Sequence, residues 1–181
     1  FNWENQAGQL IWDGTDENGN TVSDGKYSYL IESEDSAGNK TSKKIEDILV
    51  DNRQATVFVT ADSKGFTPNS DGYEDKISFA TMTTLKDGVE SWEFNIKKDG
   101  ITAVKSFSGD ILPEKIIWDG KDSSGRIIEG DFKAEYIVKY LKGNEPSSVT
   151  KEFKVDITPP SVEIIAGPVT FSPDNDGVDD E

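Results

Sequence analysis

An all-β fold, made of β-sandwich repeats set in tandem, is what this sequence predicts, and three observations predict it. Apolar residues alternate with polar ones in short runs, the period of a half-buried strand, and no segment keeps a helical period. Glycine, proline, asparagine and aspartate break those runs at close intervals, with 16 glycines and 7 prolines in 181 residues. The chain also repeats itself at a shift of 105 to 106 residues.

The repeat is read from landmarks that keep their order. LIWDGTDENGNTVSDGKYSYLI (Leu10 to Ile31) recurs as IIWDGKDSSGRIIEGDFKAEYIV (Ile116 to Val138). Trp12 falls on Trp118, Asp13 on Asp119, Asp16 on Asp122 and Gly19 on Gly125; upstream, Phe1 falls on Phe107. ILVDNRQATV (Ile48 to Val57) matches FKVDITPPSV (Phe153 to Val162), which places Asp51 on Asp156. FTPNSDGYED (Phe66 to Asp75) matches FSPDNDGVDD (Phe171 to Asp180). These matches divide the chain into the C-terminal half of one repeat (1–55), a complete repeat (56–160), and the first strand and acidic loop of a further one (161–181).

Within 56–160 the strands follow in order. TVFVTA (Thr56 to Ala61) opens the unit, and KISFATM (Lys76 to Met82) follows the acidic loop. SWEFNIKK (Ser91 to Lys98) alternates Trp92, Phe94 and Ile96, and Lys98-Asp99-Gly100 turns it into ITAVKSF (Ile101 to Phe107). KIIW (Lys115 to Trp118) comes next; KAEYIVKYL (Lys133 to Leu141) sets Ala134, Tyr136, Val138 and Tyr140 on one face; SVTKEFKVD (Ser148 to Asp156) closes the unit. About seven strands in about 100 residues is the pattern of an immunoglobulin-like or fibronectin-III-like sandwich, with an up-and-down barrel as the less favoured alternative.

Composition narrows the function. A formal net charge of −16 repels phosphate backbones and anionic membrane surfaces, so nucleic acid is not an expected partner. No apolar run is long enough for a membrane helix, so no direct membrane insertion is expected. Cysteine and histidine are both absent, which removes disulfides, thiolate chemistry, the commonest general base and the commonest zinc ligand. No nucleophile elbow, phosphate-cradling loop or metalloprotease motif is present, and no enzyme activity is expected. The acidic run Glu32 to Asp35 reads as a solvated face.

The WDG motif needs a physical reason. Asp-Gly pairs make turns that need positive φ, and Trp12 and Trp118 anchor those turns on the edge of the sandwich. Gly25 and Gly130 let the next strand start close to another backbone. The other reading is an exposed tryptophan beside carboxylates, as on a sugar-binding platform, with Trp3 and Trp92 as further candidates.

The WDG-D-x-x-G run with the GKYSYLIESEDSAGNKTS that follows it resembles the immunoglobulin-like domain of flagellar hook-capping proteins. FTPNSDGYED resembles the F-T-P-N-G-D-G-x-N-D loop of gliding-motility-type C-terminal domains, and VDITPP (Val155 to Pro160) is similar to joints in tandem bacterial immunoglobulin-like arrays. Ser70 and Asp174 depart from the Gly and Asn of the gliding-type loop, so a secretion role is not carried over. The resemblance implies a part of a large bacterial envelope protein, periplasmic or at the cell surface.

The two acidic loops carry the candidate metal site. Calcium takes oxygen ligands at alternating loop positions around a glycine. With Gly72 at the sixth position, Thr67, Asn69, Asp71, the Tyr73 carbonyl and Asp75 fall on ligand positions. With Gly177 there, Ser172, Asp174, Asp176, the Val178 carbonyl and Asp180 do so. Ser78 stands where an EF-hand has its bidentate glutamate, so a further ligand has to come from elsewhere; Asp51 and Asp156, at the linkers, are candidate donors, and Glu74 and Asp179 are the alternatives. The competing reading is a solvated turn, since aspartate, asparagine, proline and glycine build such loops without any ion. Both readings stand on sequence alone.

Two functions follow. One is a non-catalytic spacer and interaction module, its partners the neighbouring repeats of its own chain and other envelope proteins or glycans, with joints stiffened by calcium. The other is an adhesin, or a carbohydrate-binding module attached to a secreted enzyme, acting through exposed aromatics. The partial units also leave open edges, and residues 161–181 adding a strand to another copy's first half is a way to satisfy them.

Overall fold

The computed structural model describes residues 9–165, and every regular element among them is a β-strand. β1 (Gly25–Glu34) and β2 (Lys40–Val50) form an antiparallel hairpin. The following strands are β3 (Val57–Ala61), β4 (Gly65–Phe66), β5 (Ile77–Thr83), β6 (Val89–Lys98) and β7 (Thr102–Gly109). β8 (Lys115–Trp118), β9 (Gly130–Tyr140), β10 (Ser147–Val149) and β11 (Phe153–Val155) complete the set.

Strands β3 to β11 form two sheets. One has the order β3-β5-β8; the other runs β4-β11-β9-β6-β7, with β10 also on β9. All pairs are antiparallel except β4 with β11, which is parallel. Alternation decides which side chains meet between the sheets: Ile77 and Phe79 of β5 and Trp118 of β8 on one side, Phe94 and Ile96 of β6 and Ala134, Tyr136 and Val138 of β9 on the other, all fully buried. Phe79 lies 5.0 Å from Phe94 and 5.3 Å from Phe153, ring centre to ring centre, in tilted packing that suits aromatic pairs.

The expected strands sit where the alternation places them, and KIIW coincides with β8. Two differences have local causes. β4 is two residues long, too short to alternate. The closing strand is split into β10 and β11 because Thr150 interrupts the ladder. Its amide donates to the Ala134 carbonyl, and its hydroxyl oxygen accepts the Ala134 amide, so a buried threonine satisfies both backbone groups.

The strand directions put the two linkers at opposite poles. The chain enters β3 at Val57, which pairs with Thr83. The Thr83 hydroxyl lies 2.8 Å from that of Tyr140, and Tyr140 donates to the Leu85 carbonyl at 2.6 Å, so the end of β9 shares this entry pole. The chain leaves through β11, where Val155 pairs with Gly130, the first residue of β9. β9 therefore spans the unit from exit to entry, about 35 Å for its 11 residues.

The candidate site: two turns, an acidic loop and the linkers

The WDG turn is built twice in the same way. The indole N–H of Trp118 donates to the Lys121 carbonyl at 2.8 Å, and that of Trp12 donates to the Thr15 carbonyl at 2.8 Å. Asp122 Oδ1 accepts the amides of Ser124 and Arg126; Asp16 Oδ1 accepts those of Asn18 and Asn20. Trp118 packs on Phe132 at 5.3 Å, and Trp12 on Tyr27 at 5.2 Å. The copies differ in cover, for Trp118 is 1% exposed and Trp12 is 42% exposed. The Ser124 hydroxyl, then the Arg126 amide, pull the Asp122 carboxyl down to about 2. Asp16 is also lowered, first by the Asn20 amide.

Trp92 is buried and donates its indole N–H to the Ile111 carbonyl at 2.7 Å, so it is a core residue and offers no exposed platform. Trp3 lies outside the described residues. The close backbone approach expected at Gly130 is instead a side-chain crossing. A Cβ there would lie 3.1 Å from the Lys98 stem, and the φ of 132° itself favours glycine.

The acidic loop turns its carboxylates inward. Asp75 accepts the Ser70 amide at 2.6 Å on one oxygen and the Gly72 amide at 2.8 Å on the other. Asp71 accepts the Tyr73 amide at 2.8 Å and the Asn69 side-chain N–H at 2.9 Å, and Asn69 Oδ1 accepts the Asp71 amide. Positive φ at Ser70, Gly72 and Glu74 aims these amides into the loop, a backbone concavity that holds an anion. The anion is the protein's own Asp75. The Tyr73 amide, then Asn69, lower the Asp71 carboxyl below its ordinary value.

The linkers hold the remaining predicted ligands. Asp51 Oδ1 accepts Arg53 Nε at 2.9 Å and Asp51 Oδ2 accepts Arg53 Nη2 at 2.9 Å, a bidentate pair. Lys142, in the turn after β9, lies 3.4 Å from Asp51 Oδ1 and donates to the Arg53 carbonyl, and Arg53 Nη1 reaches Asp87 at 3.5 Å. The Asp51 carboxyl is held well below the usual range, first by Arg53. At the exit, Asp156 pairs with Lys154 at 3.0 Å and accepts the Thr158 amide at 3.0 Å; both lower its carboxyl, Lys154 more. A carboxylate steadies each linker further: Asp24 accepts the Asn52 amide at 2.7 Å, and Glu129 accepts the Ile157 amide at 2.8 Å.

The structure thus gathers Asn69, Asp71, Tyr73 and Asp75 into one loop and leaves Asp51 away from it. Asp51 belongs to the entry pole, whereas the loop runs from β4 into β5 at the exit pole, a strand length away. Asp51 therefore does not join the loop of the unit it precedes. Asp156 shares the loop's pole, since its amide donates to the Phe66 carbonyl at 3.3 Å. Asp174, Asp176, Val178 and Asp180 lie outside the described residues. Among the described residues no three acidic side chains converge as metal ligands. The ion pairs at Asp51 were the contribution sequence reasoning missed; Arg53, two residues on, was the available signal.

No protein-family model matches the chain, and no curated protein matches it. Among the solved structures that overlap part of it are the following two. Dimeric latent PorU from Porphyromonas gingivalis is 15% identical, with a TM-score of 0.47, over 75% of this chain and 12% of that one. A tetra-tandem repeat from the extending region of a large adhesion protein is 17% identical, with a TM-score of 0.39, over 77% of this chain and 34% of that one. This chain spans a minor part of each of those proteins.

Proposed function

We propose that this chain is a non-catalytic spacer from an array of immunoglobulin-like units, in which each unit extends the array by about one strand length. The observation that carries the reading is the opposite placement of the two linkers, with entry at Val57 and exit at Val155. A unit with adjacent termini would fold the array back on itself; this one sets its neighbours in line. The twofold occurrence of the WDG turn, the aromatic pair and the carboxylate on the linker amide supports a tandem arrangement. The strand order, β3-β5-β8 facing β4-β11-β9-β6-β7, supports the immunoglobulin-like reading. The bacterial envelope setting rests on the sequence resemblance alone.

In this reading the joint before β3 is set by protein ion pairs. Lys142 grips the linker through Asp51 and the Arg53 carbonyl, and Arg53 ties it to Asp87. Asp51 and Lys142 are partly shielded, so salt screens their pair less than the exposed one at Asp87. The buried Trp92 and Trp118 weigh against a tryptophan-platform carbohydrate module.

The test is a distance distribution across the joint. The chain has no cysteine of its own, so Ala37→Cys with Asp110→Cys places two spin labels on exposed turns of the hairpin and the unit. Pulsed electron resonance should give one narrow distribution that broadens in Arg53→Gln with Lys142→Gln. A broad distribution in the parent, indifferent to those changes, rejects the in-line spacer.

A further inference from the structure

The larger sheet ends on an open edge. Its order is β4-β11-β9-β6-β7, and among the described residues β7 pairs with no strand but β6. Alternation decides which groups that edge presents. In β9 the amides of Val138 and Tyr140 donate to the Pro146 and Asn144 carbonyls, and the Ala134 carbonyl accepts the Thr150 amide. These residues therefore turn their main-chain groups away from β6. Trp92 and Ile96 of β6, opposite Val138 and Ala134, and Phe94 between them, turn theirs toward β7. Phe94 lies opposite Phe107 and Trp92 opposite Gly109, so Phe107 and Gly109 are bonded inward. Ser106 and Ser108, both exposed, point amide and carbonyl out of the sheet.

Val104 keeps the same phase and sets a limit. Its carbonyl also points outward, where it accepts the Ser123 amide at 3.0 Å and the Ser123 hydroxyl at 3.1 Å. The WDG turn thus caps the start of the edge and leaves Ser106 to Ser108 uncapped. The bulge in β7, a device that spoils edge pairing, lies between Ala103 and Lys105 and so before this stretch. Residues 101–109 carry one charge, Lys105, and no acid, in a chain of 35 acidic residues and net charge −16; Asp99 and Asp110 flank the run. The chemistry of the edge names its occupant, since unpaired amides and carbonyls on alternate residues take an extended strand. A second copy supplies one, and two such acidic chains repel each other least along an edge that has no acid.

We propose that β7 of a second copy of this chain pairs antiparallel with this edge, about a two-fold axis at Phe107. In that register Ser106 of each copy lies opposite Ser108 of the other, and the two residues exchange both hydrogen bonds. The Phe107 side chains meet at the close, non-bonded position between them, and Lys105 lies opposite Gly109, which takes no room. The neighbouring register, centred on Ser106, would set Val104 against Ser108 and is blocked where Ser123 holds the Val104 carbonyl. Both copies use the same surface, so the contact is isologous and closes at a dimer. A few main-chain bonds along a short edge fall below the area of a stable interface, so the dimer is weak and exchanges. It joins chains side by side through a surface that neither linker uses, and it does not rest on the spacer reading.

The test is sedimentation velocity of the whole chain from micromolar to millimolar concentration at moderate salt, beside Ser108→Pro. The parent should rise from 19.9 kDa to a plateau at twice that mass, while Ser108→Pro stays at 19.9 kDa. The Ser108 amide faces out of the ladder, so proline there removes no bond to β6, and the melting of that variant by circular dichroism should match the parent. The register is read separately. The chain has no cysteine of its own, and under mild oxidation a mixture of Ser106→Cys and Ser108→Cys chains should cross-link faster than either chain alone. A parent that stays monomeric at every concentration overturns the proposal, as does a mass that climbs past the dimer or a folded Ser108→Pro chain that dimerises like the parent. Ser106→Cys cross-linking fastest by itself also overturns it, since that would centre the contact on Ser106.

Discussion

Pro68 rests directly on Gly120. The base of the acidic loop and the WDG turn are thus a single packed corner, closed by the Phe66 and Trp118 rings behind them. The Asp-Gly of that motif is needed for two reasons at once: φ is 77° at Gly120, and the space a side chain would take is filled. At Gly14, φ is 81° and the space is empty.

Gly120→Ala is therefore expected to cost more than Gly14→Ala. The left-handed backbone alone costs about 1–2 kcal/mol, and crowding the proline adds about 1–3 kcal/mol. Denaturant unfolding of the two variants compares them directly; equal losses would mean that the corner gives way without strain.

Tyr140→Phe removes the hydroxyl that joins β9 to Thr83 and the Leu85 carbonyl across the two sheets. Both partners are buried, so the expected loss is about 1–3 kcal/mol. Thr83→Val together with Tyr140→Phe should lose less than the sum of the singles, because they share one bond; a double-mutant cycle reads that coupling.

Stability should fall in acid. The carboxyls of Asp122, Asp51, Asp71 and Asp156 are all depressed in the folded chain from an ordinary value of 3.8, Asp122 to about 2. A depressed carboxyl stabilises the fold above its unfolded value, and that stabilisation is lost as pH falls toward the folded value. The melting midpoint should be flat near neutrality and drop between about pH 4 and pH 2. Asp122→Asn should shorten the drop; a midpoint unchanged across that range would contradict these assignments.

Thermal melting with calcium, with magnesium and with chelator should give coincident curves. The oxygens of Asp71 and Asp75 already accept the loop's own amides, and Asp51 is taken by Arg53 and Lys142. An ion at a hundred times its dissociation constant would stabilise by about 2.7 kcal/mol. A rise with calcium alone, abolished by Asp71→Ala with Asp75→Ala, would establish the acidic loop as a metal site.

Much of the strand set could be read directly. Trp92, Phe94 and Ile96, or Tyr136, Val138 and Tyr140, alternate because one face of each strand is buried, and burial is what alternation records. Lys98-Asp99-Gly100 was equally readable, since Asp99 and Gly100 both take the positive φ that a tight hairpin demands. β4 was not, because two residues carry no period. The acidic loop showed its carboxylates but hid their use. Nothing in N-S-D-G-Y-E-D says that Ser70 and Glu74 adopt positive φ, yet this decides whether the amides face the acids. The placement of Asp51 and the loop at opposite poles was also hidden, because it depends on the direction of strands far apart in sequence.

The parallel pairing of β4 with β11 decides how a unit answers a pull. In the proposed in-line array, tension would enter a unit above β3 and leave below β11, and so would drag β4 and β11 in opposite senses along their shared edge. Hydrogen bonds loaded in that way are sheared together, whereas those of a hairpin pulled from its open end are unzipped one after another. β4, only two residues long, would thus be the latch on which the extensibility of such a unit turns.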